Sequence, residues 1–393
     1  MSERVEALVE RELLIWARKS AHLTVQRAAN KVRVKEKRLQ SWEDGETRPT
    51  IKQLRDLGNV YKRPIAVFYL PEPPKDFTPL RDFRRFADTE AGILSPKLQF
   101  ETRRAQERRD IALELYYDLD YEVPEPPPQV CLSDEPETLA LNIRNKLKIT
   151  RDEQLKFSDD REALNRWQLS IEKNGVLLFQ TTEVDTSEMR GFSIGEVPLP
   201  IVVVNNKDSR RGRIFTMLHE FVHIMLRDYG LCDLHEESSL IERRTVEVFC
   251  NRVAGAILVP REYLLLEESV LEKEYSAEWR DKEISELANK YKVSREVIVR
   301  RLLICDRITV EFYRKKMKQY EQEYAERRRL RQIREGWFPL PHLMAIISAG
   351  SPFIRLVLDS YHNRKITASD LSDFLDVKLK HVGKIEREVL GRR

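Results

Sequence analysis

Residues 215–226 read FTMLHEFVHIML, two histidines and a glutamate set among phenylalanine, methionine, leucine, valine and isoleucine. Charged side chains are rarely fully buried unless they are paired or hold a metal. The stretch is therefore either an awkward piece of core or the wall of a site. Read as a helix, it places His219 and His223 one turn apart on one face, where each can point an imidazole at the same ion. Glu220 lies about 100° round from His219. It is poorly placed to join them as a ligand, but it can reach a water in an open coordination position. That spacing is the signature of zinc hydrolases, with two histidine ligands and a glutamate as general base. The apolar residues between them then have an ordinary task, burying the helix.

Catalytic zinc takes a third protein ligand. The downstream candidates are Asp228, Asp233, His235, Glu236, Glu237, Glu242 and Glu247. Glu247 is the best placed. It follows on an apolar helix whose next face, Asn251, Ala254 and Gly255, is small enough to approach the first helix closely. Glu242 falls in a charged stretch that suits solvent, and His235 lies in LCDLHEESS, which reads as a loop. For an electrophilic helper Tyr229, Tyr263 and His235 are all conceivable, and the sequence does not choose among them.

Around this pair of helices the pattern is mixed. GVLLFQTT (175–182), RGFSIG (190–195) and LPIVVVNN (199–206) read as short strands in a small antiparallel sheet, with RGFSIG as its edge. In zinc peptidases an edge strand above the metal pairs with extended substrate backbone; the plainer reading is that this strand only covers the core. ISELANKYKVSREVIVRRLL (284–303) has the outline of two helices and a tight turn, and packing suits it better than contact with DNA. The tract 311–335 reads as a polar helix with one apolar stripe, Tyr313, Met317, Tyr320 and Tyr324. Its arginine-rich end, 327–334, suits a solvated arm.

GFSIGEVPLPIVVVNNKDSRRGRIFTMLHEFVHIML (191–226), followed by EVFCNRVAGAILVP (247–260), closely resembles the ImmA/IrrE metallopeptidases. Asn205, Phe215, Thr216, His219, Glu220, His223, Glu247, Asn251, Ala254, Leu258 and Pro260 match their pattern. The resemblance implies a gluzincin-like site in which His219, His223 and Glu247 hold one Zn2+ and Glu220 is the catalytic base. Val222 departs from the glycine common before the second histidine. It brings no polar group to the metal, so no loss of activity is expected. The resemblance covers roughly 150–310.

Whole-chain charge, +4 on 393 residues, says nothing about partners, but its distribution does. Residues 1–70 hold 15 Lys and Arg against 9 Asp and Glu, 15 − 9 = +6, more than the surplus of the entire chain. LTVQRAANKVRVKEKRLQSWEDGETRPT has the layout of a helix-turn-helix, with Ala28 and Ala29 small where two helices cross and Gly45 as a C-cap. It resembles the Cro/phage-repressor type of DNA-binding domain. That resemblance implies DNA contacts from Lys35, Lys37, Arg38, Gln40 and Ser41, at the exposed start of the second helix. A solvated charged face, or a surface for another repressor or a second copy, are the competing readings.

These pieces predict a predominantly helical α+β chain. Its parts are a helix-turn-helix domain (1–72), a helical connecting region with proline-rich linkers (73–134), a zincin-like domain (135–310) and a helical C-terminal region (311–393). No run of about 18 apolar residues occurs. Four dispersed cysteines without a CxxC pair read as reduced thiols in a cytoplasmic protein. The resemblances together imply a zinc endopeptidase in transcription control, cutting a repressor and reaching DNA through its N-terminal domain. A homodimer would suit a palindromic operator. Two alternatives stand: a regulator or toxin–antitoxin component whose peptidase-like domain senses rather than cleaves, and a peptidase that cuts its own linker.

Overall fold

The computed structural model describes residues 6–21, 23–61, 63, 65–72, 95–227, 240–273, 278–332 and 340–391, with 240–243 and 327–332 as helix backbone alone. The chain divides into two compact units, 1–106 and 107–393. It is predominantly α-helical with one small sheet.

The first unit contains α1 (Arg11–Ser20), α2 (Val25–Lys31), α3 (Glu36–Glu43) and α4 (Ile51–Tyr61). The Thr24 hydroxyl caps α2 by accepting from the Arg27 N–H. Arg33 then takes a left-handed φ of 57°, which turns the chain into α3 within a few residues. Ala28 and Ala29 are buried where α2 meets the core, as their size requires, and Gly45 ends α3 with φ 80°. The Arg18 guanidinium donates to both Glu43 carboxylate oxygens, at 2.7 and 2.8 Å, and to the Leu23 carbonyl. This fork satisfies a buried carboxylate and ties the end of α1 to the end of α3. The helix α5 (Pro96–Asp118) contains the boundary between the units.

The second unit continues with α6 (Pro136–Leu147), α7 (Arg151–Leu155), α8 (Asp160–Glu172), β1 (Leu177–Thr181), β2 (Gly191–Ile194), β3 (Ile201–Asn205) and α9 (Arg210–Leu226). After these come α10 (Leu240–Leu258), α11 (Arg261–Leu265), α12 (Glu268–Leu271), α13 (Asp281–Tyr291), α14 (Arg295–Ile304) and α15 (Val310–Gln332). Four helices close it: α16 (Pro341–Ala349), α17 (Ser351–His362), α18 (Ala368–Phe374) and α19 (Val382–Leu390). The strand order is β1-β3-β2, with β1 parallel and β2 antiparallel to β3. The sheet is therefore mixed, which corrects the antiparallel expectation. β3 enters between its two predecessors, and no local residue pattern records that. The expected edge strand, β2, is an edge strand.

β1 and β3 are buried along their whole length because both faces are covered. Leu178, Val202 and Val204 join the main core with α8 and α9, while Phe179 on the other face meets Phe353 of α17 edge-on, ring centres 6.0 Å apart. Arg108 of α5 lies over both rings and donates to the Ser348 carbonyl, at 2.8 Å. Tyr313, Met317 and Tyr320 of α15 pack on the main core as their stripe predicts; Tyr324 is exposed, with the Arg190 guanidinium over its ring. α14 is buried through Val297, Ile298, Val299, Arg301 and Leu302, in keeping with a packing role. Among the described residues no single helix is long and apolar enough to cross a membrane; α16 and α17 reach that composition only together, bent by 105°. Cys131, Cys250 and Cys305 are free thiols, and Cys232 lies outside the described residues.

Candidate metal centre

α9 starts from a Ser209 cap that accepts from the Gly212 N–H. It is the most deeply buried helix near the sheet, covered by α8, α10, β2 and β3. His219 and His223 bring their Nε2 atoms to 3.0 Å of each other. Glu247 reaches the same point from α10, with Oε2 3.3 Å from His219 Nε2 and Oε1 3.2 Å from His223 Nε2. Ligand bonds of about 2.0–2.1 Å in tetrahedral array set donors roughly 3.3 Å apart. The three side chains thus fit a zinc ion without rearrangement. Among the described residues they are the one group of His, Cys, Asp or Glu donors that converges in this way. Burial works against the charge on Glu247, but hydrogen bonds to both imidazoles outweigh it and hold the carboxyl well below the usual carboxylate range.

The imidazoles are oriented from behind. Asn251, one turn after Glu247 on α10, has its Oδ1 3.1 Å from His219 Nδ1. With the proton on Nδ1, that bond leaves Nε2 free to ligate. The sequence marked Asn251 as a small residue at a helix crossing, and its polar function went unread. Gly255 does not face α9: a Cβ there would lie 3.5 Å from Arg301 Cδ. The far end of α10 is fixed by side chains that cap its last carbonyls. Arg144 Nη1 donates to the Ile257 oxygen (2.7 Å), Gln154 Nε2 to Leu258 (2.9 Å) and Arg301 Nε to Val259 (2.8 Å). Arg301 in turn forks onto Glu137, both bonds 2.7 Å. The ligand helix is thereby held rigidly.

The Glu220 carboxylate reaches β2, where its Oε2 accepts from Ser193 Oγ at 2.8 Å. Gly191 lies on the same face of β2, pressed against Thr216. Sequence reading missed Ser193, because alternation along a strand says which residues share a face but not which face meets α9. Asn205, at the end of β3, donates to the Val184 and Met189 carbonyls and so pins the loop that feeds β2. Phe215, one turn before His219, has its ring centre 6.3 Å from that imidazole.

Of the other residues considered, Asp228, Tyr229, Asp233, His235, Glu236 and Glu237 lie outside the described residues, as does the side chain of Glu242. Tyr263 packs beneath the Arg144 and Arg151 guanidiniums, beyond the far end of α10. The side chains of 327–332 and all of 333–334 also lie outside the described residues. In the first unit Lys35, Lys37, Arg38 and Gln40 are exposed at the start of α3. Ser41, half-buried, bonds to the Arg38 carbonyl and the Thr47 hydroxyl.

Residues 171–303 match the IrrE N-terminal-like domain, a peptidase family. This part of the chain, which holds His219, Glu220, His223 and Glu247, is similar to a metallopeptidase domain. The solved structures include a chain described as a Mycobacterium tuberculosis transcriptional regulator, 16% identical with a TM-score of 0.31. That match covers 51% of each chain, so this protein spans about half the length of that one. A comparison with curated proteins finds no match.

Proposed function

We propose that the chain is a zinc-dependent endopeptidase acting within transcription control, where it cuts a repressor or another DNA-bound regulator. One observation carries the reading: two imidazole Nε2 atoms and the Glu247 carboxylate converge to 3.0–3.3 Å beside a second buried carboxylate, Glu220. His219, His223 and Glu247 are then the ligands and Glu220 the general base. Bound zinc would supply a Lewis acid for a peptide carbonyl and acidify a water toward neutrality. Glu220, held in one orientation by Ser193, takes the proton of the attacking water and returns it to the departing amine nitrogen. β2, unpaired by any strand along its outer edge among the described residues, offers backbone N–H and C=O groups to an extended substrate.

The N-terminal helix-turn-helix supports DNA contact through Lys35, Lys37, Arg38 and Gln40, with Ser41 stiffening the turn that follows. A DNA-bound peptidase gains effective concentration on a repressor bound nearby. In this reading 1–72 serves DNA and 135–310 serves cleavage, in a cytoplasmic protein.

Metal content by mass spectrometry tests the site first. About one zinc per chain is expected, lost in His219→Ala and Glu247→Ala and kept in Glu220→Gln. Labelling of new N-termini in an extract then compares wild type with Glu220→Gln. A metal-free wild type, or cleavage that survives Glu220→Gln, would sink the enzyme reading. Full control of a transcription reporter by Glu220→Gln would favour a sensing domain instead.

A further inference from the structure

We propose that residues 366–390 form a second helix-turn-helix, whose outer helix docks on double-stranded DNA. Its backbone repeats the N-terminal motif at a constant offset, 367 − 24 = 343. Thr367, like Thr24, is an N-cap that accepts from the N–H three residues on, and seven helical residues follow each. Asp376 is left-handed at φ 52° where Arg33 is at 57°. The Val377 N–H donates to the Ser372 carbonyl, and Val34 to Ala29, both at 3.0 Å. Lys35 caps α3 with φ, ψ of −69°, 143°; Lys378, at −67°, 141°, caps a 3-10 turn (Leu379–His381) that runs directly into α19. His381 to Lys378 and Arg38 to Lys35 repeat the next hydrogen bond, each at 2.9 Å. Thr, Val and Lys recur at equivalent places, and Ile385 is buried where Trp42 is buried.

Shared backbone alone does not make a DNA-binding element, as a third example in the chain demonstrates. Lys292, between α13 and α14, is left-handed at φ 55°, and the Val293 N–H donates to the Ala288 carbonyl at 2.9 Å. Its second helix, α14, buries Val297, Ile298, Val299, Arg301 and Leu302 and leaves only Glu296 exposed. The C-terminal example differs in that respect. Only Ile385 and Val389 of α19 are fully buried, while Lys378, Lys380, Lys384 and Arg387 are exposed.

The charge of that face suits a polyanion. Residues 378–384 contain three lysines and His381 and no acid. Slight desolvation, then the positive charges of Lys380, Lys384, His342 and Lys378, lower the pKa of His381, as expected of a cationic patch. The acids of the motif flank this stretch, Asp370, Asp373 and Asp376 before it and Glu386 and Glu388 after it, with Glu386 engaged by His362 at 2.8 Å. A helix start that is exposed, cationic and turned out by a tight reversal is what phosphate and groove contacts require.

The test uses the full chain and a labelled duplex of mixed sequence, with anisotropy read across a salt series. Neutralising two phosphate contacts lowers the salt slope by about 1.8, so between 50 and 200 mM salt affinity falls roughly 12-fold less than in wild type. Lys380→Ala/Lys384→Ala should show that change and weaker binding at low salt, with melting unchanged because both lysines are exposed. Lys37→Ala/Arg38→Ala reports separately on the N-terminal motif. Wild-type affinity and slope in Lys380→Ala/Lys384→Ala would overturn the proposal, as would absence of duplex binding by the wild-type chain. Binding that depends on 380 and 384 but not on 37 and 38 would sustain it and remove the N-terminal reading instead.

Discussion

Gly191→Ala perturbs the contact between β2 and α9 with one added methyl. A Cβ at 191 would lie 2.4 Å from Thr216 Cγ2 and 2.9 Å from the Val203 carbonyl oxygen. Carbon atoms normally meet at about 3.5–4.0 Å, so strand and helix must part by roughly 1 Å. Thr216 is β-branched on a helix and has little freedom to turn aside. Overpacking of this kind costs about 1–3 kcal/mol, a fall of roughly 2–10 °C in melting temperature for a unit of this size. The effect on turnover should be larger. Ser193, two residues along the same face, holds Glu220 at 2.8 Å, and a retreating strand breaks that bond. Misplacement of about 1 Å in a reacting constellation is worth on the order of 100-fold. Thermal unfolding by circular dichroism and peptide cleavage would be read on the same preparations. Gly191→Ala/Thr216→Ser removes Cγ2 and should recover most of the melting temperature, with a residue left by the Val203 oxygen. Wild-type melting and turnover in Gly191→Ala would refute the close approach and the coupling built on it.

Ser193→Ala should lower kcat by roughly tenfold with zinc content and KM unchanged, and Ser193→Thr should restore it; loss of zinc instead would mean that Ser193 acts on the fold. Glu137→Ala strands the buried Arg301 guanidinium and should cost about 3 kcal/mol by denaturant unfolding; a cost under about 1 kcal/mol would show that Arg301 finds another partner. Burial pushes the Glu172 carboxyl up to about 8, against a smaller lowering from its bond with Gln168. A carboxyl raised in the folded state holds its proton longer there than in the unfolded chain, so its stabilising contribution is full at pH below the ordinary carboxylate value and is lost as pH rises toward 8. Glu172→Gln should therefore match wild type near pH 5 and exceed it near pH 8 by about 1–2 kcal/mol, allowing for solvent screening; equal pH profiles in the two proteins would contradict this.

The convergence of His219, His223 and Glu247 is legible because helical periodicity alone places the two histidines together, and because Glu247 begins a face that can be ranked by side-chain size. The N-terminal turn was legible through Ala28, Ala29 and Gly45, residues whose smallness or backbone freedom has one obvious use. What stayed hidden depended on partners distant in sequence. Pairing of β1 with β3 skips β2, so strand direction could not be read locally. Arg108 stands in sequence among many charges, Arg103, Arg104, Glu107 and Arg109, yet it is buried over Phe179 and Phe353, a placement a planar guanidinium tolerates when its N–H groups find an acceptor. The capping box Thr367–Asp370 was a readable signal.

The two edges of the sheet meet opposite fates, and that asymmetry links the C-terminal helices to the site. At β1 the joint between α16 and α17 presses in so closely that a Cβ on Gly350 would lie 2.7 Å from the Leu178 carbonyl oxygen. Gly350 also has φ 72°, so glycine is favoured there twice over. Phe353 seals the adjoining face through Phe179. An uncovered parallel edge would be a template for any extended chain. At β2 the outer edge has no strand partner among the described residues, and Ser193 on that strand touches Glu220. In the proposed reading, a peptide that adds to this sheet is directed to β2, the strand that carries Ser193. In that reading the helices after residue 340 cover the other edge through Gly350 and Phe353 and leave β2 as the edge for substrate.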